Sequence, residues 1–313
     1  MTDNLDILTL GECLIELSTR QSLTIAETFN KYYGGDALNT GIACARLGAR
    51  VGYITKVGND YFKDFLLDAW QSENLDISNV KIVENYNGLY IISRQPDGKK
   101  EIMYYRKKSS AAMLSIEDIP ENVIEKASII YTTGITQSLS TSARSAVNKA
   151  FSIAGEKECL VAYDPNYKDR VWDIEEAREA MEEIIDYIDI LMLSNTHDAE
   201  KLIEISSADK IIKHYWDRGI PMVAVKMGQA GCSIGYNGEI KFVPSREVEI
   251  VDTTGSGDAF NGGFLYGISK GYTPFESAKL ASIVASEQTK GLGAIKSIPY
   301  KDQVFAEFKK GDA

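Results

Sequence analysis

Short apolar runs alternate with longer amphipathic stretches along most of the chain, and this rhythm constrains the fold more than any single motif. Residues 7–11 (ILTLG), 51–54, 128–132, 160–164, 188–193 and 222–226 read as strands bounded by polar or Gly-bearing segments. Between them, residues 38–47 (LNTGIACARL), 61–71, 142–153, 174–187 and 208–218 carry apolar side chains at helical spacing, and the first of these stops at Gly48. A further strand is predicted over 248–252, followed by helices from about Gly257 and from about Pro274. Such repetition predicts an α/β fold with a mostly parallel sheet and helices on both faces.

One stretch breaks the rhythm. Residues 88–106, GLYIISRQPDGKKEIMYYR, set two β-rich runs either side of Pro96-Asp97-Gly98, which predicts a hairpin. Residues 14–17 and 23–29 are expected to add strands to it. The expected result is a small β-sheet from about residues 13–35 and 86–108, standing off the main sheet and useful as a lid. No repeat, low-complexity segment or long linker divides the chain, so a single domain spanning 1–313 is expected to carry that lid.

Composition removes several functions. Thirty-four Lys and Arg against 45 Asp and Glu give a net charge of −11, a poor general match for nucleic acid or an anionic membrane. An anion site on this chain must be a local cluster of cations or amides. Cys13, Cys44, Cys159 and Cys232 lie far apart with no CxxC, which points to reduced core thiols and a cytoplasmic location. His197 and His214 are too few for a His-rich metal site; His197 reads as a solvated helix-start residue and His214 as a surface or packing residue. The MTDNLD opening is acidic and polar, unlike a secretory leader, and no apolar run approaches the ~20 residues of a membrane span.

Four places carry chemistry. The run Val251 to Gly263, VDTTGSGDAFNGG, joins a β-like segment to a helix. Glycines at 255 and 257 allow a tight turn and leave amides bare at a helix start, where the dipole also favours negative charge. Gly255, Ser256 and Gly257 therefore suit a phosphate. Asp258 at the mouth of such a site is either a helix cap or a general base that takes a hydroxyl proton while the amides hold a transferring phosphoryl group. Neither GxxxxGK[ST] nor GxGxxG occurs here. In the second place, Tyr33 to Thr40 (YGGDALNT), Gly34 and Gly35 let a small polar ligand approach bare backbone beside Asp36 and Asn39. The third is the hairpin, where strand alternation puts Tyr104 and Arg106 on one face, close to Tyr90; an aromatic edge beside a guanidinium suits a hydroxylated carboxylate. The fourth is a set of loops at three strand ends: Asp164 to Trp172 (DPNYKDRVW), Ser194 to Asp198 (SNTHD) and Val225 to Gly231 (VKMGQAG). Loops at the carboxyl ends of parallel strands line the ligand crevice of such sheets.

GGDALNT, DPNYKDRVW, KMGQAG and DTTGSGDAF, in this order across nearly the whole chain, resemble the ribokinase-like (PfkB) carbohydrate kinases. The segments Gly11 to Leu17, Gly88 to Tyr90 and Tyr104 to Arg106 are most similar to 2-keto-3-deoxygluconate kinases. The resemblance implies the ribokinase-like three-layer fold and phosphoryl transfer from ATP, with Mg²⁺, to a hydroxyl of a small sugar acid, 2-keto-3-deoxygluconate going to its 6-phosphate. It implies Asp258 as base and Gly255, Ser256 and Gly257 as anion hole. It places Asn166, Asn195, Lys226, Gly228 and Gly231 on the nucleotide side, with Asp198, shorter than the family's Glu, reaching magnesium through water. It assigns the sugar acid to Gly34, Gly35, Asp36, Tyr90, Tyr104 and Arg106, with Lys168 and Arg170 where the family has an arginine. It leaves open a monovalent cation near 252–254 and 291–295, and a homo-oligomer formed through the lid. A three-cation rim of Arg106, Lys168 and Arg170 is expected to favour an acid, because a neutral sugar would leave each buried cation without a partner. The same-family rival is a fructokinase, ribokinase or nucleoside kinase. A non-catalytic sugar sensor would be expected to have lost Asp258, which is intact.

Overall fold

A computed structural model describes residues 4–310, so the first residues of the MTDNLD opening and the last of the expected 1–313 domain lie outside the described residues. The strands in chain order are β1 (Leu5–Leu10), β2 (Leu14–Thr19), β3 (Asn30–Gly34), β4 (Val51–Gly58), β5 (Leu75–Asp76), β6 (Val80–Val83), β7 (Gly88–Arg94), β8 (Lys100–Tyr105), β9 (Ala127–Thr133), β10 (Leu160–Asp164), β11 (Ile190–Ser194), β12 (Met222–Lys226), β13 (Gly231–Tyr236) and β14 (Glu239–Pro244). Ten of them form one sheet in the order β14-β13-β12-β11-β10-β9-β1-β4-β5, with β6 also paired to β4. From β12 across to β5 and β6 every pairing is parallel, as the alternating sequence predicts.

Each inner strand feeds both faces, because successive side chains point to opposite sides. Ile7, Val51, Ile129, Ala162 and Ile190 pack on one side with Leu38 and Ile42 of helix Asp36–Arg46 and Phe264 and Leu265 of helix Ser256–Ser269. Their neighbours Leu8, Ile54, Ile130, Val161 and Leu191 pack on the other with Val147 and Phe151 of helix Thr141–Gly155 and Ile211 and Ile212 of helix Ala208–Asp217. This burial on both faces explains why β1 is rich in apolar residues: all six of its residues are buried, including the polar Asp6 and Thr9. All four cysteines are free and buried. Among the described residues, no helix is long and apolar enough to cross a membrane.

A second sheet has the order β3-β2-β7-β8. Strands β7 and β8 form the expected hairpin, closed by Gln95 N–H to Lys99 O and Gly98 N–H to Gln95 O, with Gly98 at φ 86°. Strand β2 pairs parallel to β7 and antiparallel to β3.

Four sequence expectations are corrected. Residues 23–29 form no strand: Ile25 and Ala26 N–H both turn back to Ser22 O, Glu101 accepts from Leu23 N–H, and pairing starts only at Asn30. Residues 248–252 form no strand either: Val251 and Asp252 N–H both donate to Thr289 O, which no ladder can do, and Val251 is half exposed. The segment 174–187 is a helix only over Ile174–Glu182; a separate tight turn, Ile185–Tyr187, follows and buries Ile184, Ile185 and Ile188. Strands β13 and β14 extend the sheet where no strands were expected. They form an antiparallel hairpin about Asn237-Gly238, both at positive φ, a turn signal present in the sequence.

Candidate active site

Strands β10, β11 and β12 end side by side, so their last residues, Asp164, Ser194 and Lys226, share one edge of the sheet. Two helices begin at the same edge, at Asp36 and Ser256. The Lys226 ammonium donates to Asp164 Oδ2 at 2.6 Å and to Asn261 Oδ1 at 3.1 Å. Asn261 Nδ2 in turn donates to Asp164 Oδ2 at 2.6 Å and to the Tyr131 hydroxyl at 3.0 Å. A buried ion pair is tolerable only when its remaining hydrogen-bonding capacity is met, and Asn261 and Tyr131 do that here. A Cβ on Gly257 would lie 3.7 Å from the Lys226 ammonium, so the cation sits just beneath the turn.

That turn presents bare amides. Gly255 is left-handed at φ 81°, and a Cβ on it would strike Ala294, which explains the glycine. Ser256 N–H is spent on Thr253 O, whereas the N–H groups of Gly255, Gly257 and Asp258 have no acceptor among the described residues. Three amides at the start of a fourteen-residue helix, with a lysine beneath, suit a phosphoryl group. The Asp258 carboxylate accepts from Asn39 Nδ2 at 2.8 Å, and its main-chain carbonyl accepts from Thr40 Oγ1 at 3.2 Å. Burial, and then the neighbouring Asp36, push its pKa up to about 8. Once it has lost its own proton, a carboxylate with so raised a pKa is a strong base toward a neighbouring hydroxyl.

Asp258 opens onto a cavity of about 360 Å³. Gly34, Gly35, Asp36, Tyr90, Tyr104, Arg106, Lys168 and Arg170 line it as well, so every residue expected on the sugar side meets there. Pairing registers explain the aromatic wall: β7 sets Tyr90 opposite Tyr104 of β8, and the rings lie 5.7 Å apart. The same β7 residue sits beside Glu16 of β2, which accepts its hydroxyl and also meets Arg94 at 2.6 Å. Gly35 packs so closely on Glu12 that a Cβ would fall 2.0 Å from its carbonyl oxygen. Asp36 accepts from Ala37 N–H at 2.8 Å, Thr133 Oγ1 at 2.5 Å and Asn166 Nδ2 at 3.1 Å, which fixes its carboxylate at the cavity floor.

The charge pattern corrects one expectation. Arg106 is not a lone cation: its Nη2 forms an ion pair at 2.6 Å with Glu12, which is buried, while Arg106 is partly exposed and that nitrogen makes no hydrogen bond. Burial first, and then Asp36, push the Glu12 pKa up to about 7 against the opposing pull of Arg106. Lys168 and Arg170 are exposed at the lip, and no carboxylate among the described residues lies within ion-pair distance of either, Asp169 included. The rim therefore has two free cations, not three.

Of the residues expected to hold the nucleotide, Gly255 lines this cavity, whereas Asn166, Asn195, Lys226, Gly228 and Gly231 do not. Asn166, left-handed at φ 40°, turns its side chain to Asp36 rather than outward. Asn195 opens a wide helical turn, Asn195–Ala199. Gly228 lies in the turn between β12 and β13, and Gly231 opens β13, where a Cβ on it would strike Val243 O. Asp198 is buried, and its two oxygens accept Tyr167 N–H and Ser194 N–H, both at 2.7 Å; burial and then Asp164 push its pKa up to about 6. Among the described residues no cluster of three His, Cys, Asp or Glu could hold a metal. His197 is exposed at the start of that turn. Asp252, beside the loop read as a possible cation site, accepts from Thr254 N–H, Thr254 Oγ1 and Gly293 N–H and meets Arg94 at 3.4 Å and Lys100 at 3.3 Å. Sequence reasoning missed Glu12, Glu16, Arg94 and Asn261 because their value lies in long-range partners that no local spacing reveals.

The sequence profile of the "pfkB family carbohydrate kinase" matches residues 4–301. A 2-dehydro-3-deoxygluconokinase of Thermoproteus tenax is 29% identical over 88% of this chain and 86% of its own length. Fructokinase-1 of Zea mays is 30% identical over 97% and 98%. Among solved structures, a putative ribokinase II of E. coli in complex with ATP and Mg²⁺ superposes with a TM-score of 0.90 at 24% identity, covering 98% of this chain and 99% of that one.

Proposed function

The chain belongs to the pfkB family of carbohydrate kinases, and from that premise we propose that it transfers the terminal phosphoryl group of ATP to a hydroxyl of a small sugar acid, 2-keto-3-deoxygluconate becoming its 6-phosphate. The observation that carries the acid is the lip: Lys168 and Arg170 face the cavity with no carboxylate partner. An anionic group on the substrate supplies that partner.

The site divides the work. Gly34 keeps the wall beside Asn39 and Tyr90 open, and the two tyrosines cover the sugar ring. Asp258 takes the proton of the attacking hydroxyl, held in place by Asn39. The amides of Gly255, Gly257 and Asp258 receive the transferring group, and Lys226 beneath them opposes its charge. The sheet β3-β2-β7-β8 acts as the lid that excludes water. Asn195, Gly228 and Gly231, at the strand ends beyond the cavity, serve the nucleotide. A magnesium ion here would be held mainly by phosphates and water; Asp198, whose two oxygens already accept Tyr167 and Ser194 N–H, would reach it only through a water. That ion would neutralise charge on the phosphates. A monovalent cation is unnecessary at Asp252, where Arg94 and Lys100 already stand. The lid sheet, with Tyr32, Met103 and Tyr105 exposed, is the surface through which two copies would pair, and the setting we propose is the cytoplasm.

One observation favours a second reading, a neutral sugar such as fructose. Glu12 pairs with Arg106, so one of the three cations expected to clamp the acid already has a carboxylate. Initial rates with ATP and 2-keto-3-deoxygluconate, its galactonate epimer, fructose and ribose decide between the two. The proposal expects an acid to lead by at least tenfold in kcat/KM; equal or better turnover of fructose would replace it with the second reading.

A further inference from the structure

Resting on the reading of this cavity as the sugar site, we propose that Glu12 is a specificity-determining residue, whose Oε2 accepts a hydrogen bond from one sugar hydroxyl while Oε1 holds Arg106. Glu12 lines the cavity, and its side chain is only 3% exposed. One oxygen meets the guanidinium at 2.6 Å, whereas the other is buried with no hydrogen-bond partner at all. A buried carboxylate oxygen left bare costs free energy that folding gives no reason to accept, so an unmet acceptor on a cavity wall marks a place for a ligand donor.

The residue cannot simply swing toward another partner. Its backbone is clamped under the Gly34-Gly35 turn, and Arg106 fixes its outer end. The ligand group that fits is a hydroxyl. A carboxylate would be repelled by Glu12 and would find the guanidinium already neutralised, so the substrate's acid group is directed to the opposite lip, at Lys168 and Arg170. Glu12 thereby gives the sugar one orientation: hydroxyl to Glu12, acid to the lip, and the reacting hydroxyl to Asp258.

The test compares wild type with Glu12→Gln, using whichever sugar the wild type turns over best and the series of analogues lacking one hydroxyl each. The amide keeps the shape but faces the sugar with a donor once its oxygen takes Arg106. We expect the sugar KM to rise roughly tenfold or more, with kcat within a few-fold and the ATP KM unchanged. The loss should vanish for the one analogue that lacks the recognised hydroxyl. A loss equal across every analogue, or one that moves the ATP KM as much, would reduce Glu12 to a support for Arg106. If Glu12→Gln fails to fold, Arg106→Met is compared with Glu12→Gln/Arg106→Met, where the same analogue pattern is expected and its absence overturns the proposal. A wild type that prefers fructose would sink the acid reading yet leave this comparison intact on fructose and its monodeoxy analogues.

Discussion

The floor and the lip of the cavity are built on opposite electrostatic plans. At the floor, Asp258, Asp36 and Asp164 lie close together, and each carboxylate is held by a hydrogen-bond donor: Asn39, Thr133 and Lys226 in turn. At the lip, Lys168 and Arg170 stand exposed without one. Crowded, buried carboxylates raise one another's pKa values and give a site able to move a proton. Exposed cations cannot do that; they only select for charge. Chemistry and selectivity are thus separable on this scaffold, and substitutions at the two ends should fail in different ways.

The largest effect belongs to the floor. Asp258→Asn should cut kcat by ~10²–10⁴-fold while ATP still binds, measured by steady-state rates and nucleotide titration. The same variant should be more heat-stable. The folded-state pKa of Asp258, about 8, lies above its unfolded value of about 3.9, so the folded state holds the proton longer and wild-type stability falls as pH rises through that window. The Tm advantage of Asp258→Asn should therefore grow from about pH 4 to about pH 8. In wild type, kcat/KM should climb with pH through about 8 as the base loses its proton; a profile that falls over that range would contradict the assignment.

Next comes Lys226→Met, which leaves Asp164 buried without its cation. Removing one partner of such a pair typically costs ~3 kcal/mol, to be read from denaturant unfolding. Between floor and lip, Arg106→Ala should raise the sugar KM by about tenfold and leave the ATP KM unchanged. An equal rise for both would mean a folding or closure defect and would blur the division.

How much of this was legible in the sequence follows the range of the forces. The parallel sheet came through because strands such as β1 and β10 are short, largely apolar segments set between helical patterns. Asp258 and the glycines at 255 and 257 declared an anion site through local turn chemistry. Residues 248–252 misled because an apolar β-branched run was read as a strand, whereas the backbone there is claimed by Thr289 at a helix end. The charge of Arg106 misled for a similar reason: its partner lies 94 residues away on the loop after β1, and composition cannot show which cations are already paired.

The most direct measurement is the ratio of kcat/KM for 2-keto-3-deoxygluconate over fructose in wild type and in Lys168→Ala/Arg170→Ala. Each exposed cation should be worth a few-fold, so the double variant is expected to lower the ratio by about tenfold through the acid's KM, with fructose turnover and kcat unchanged. A ratio that stays at the wild-type value, or one that changes only because both sugars lose kcat together, would contradict a lip that selects and a floor that reacts.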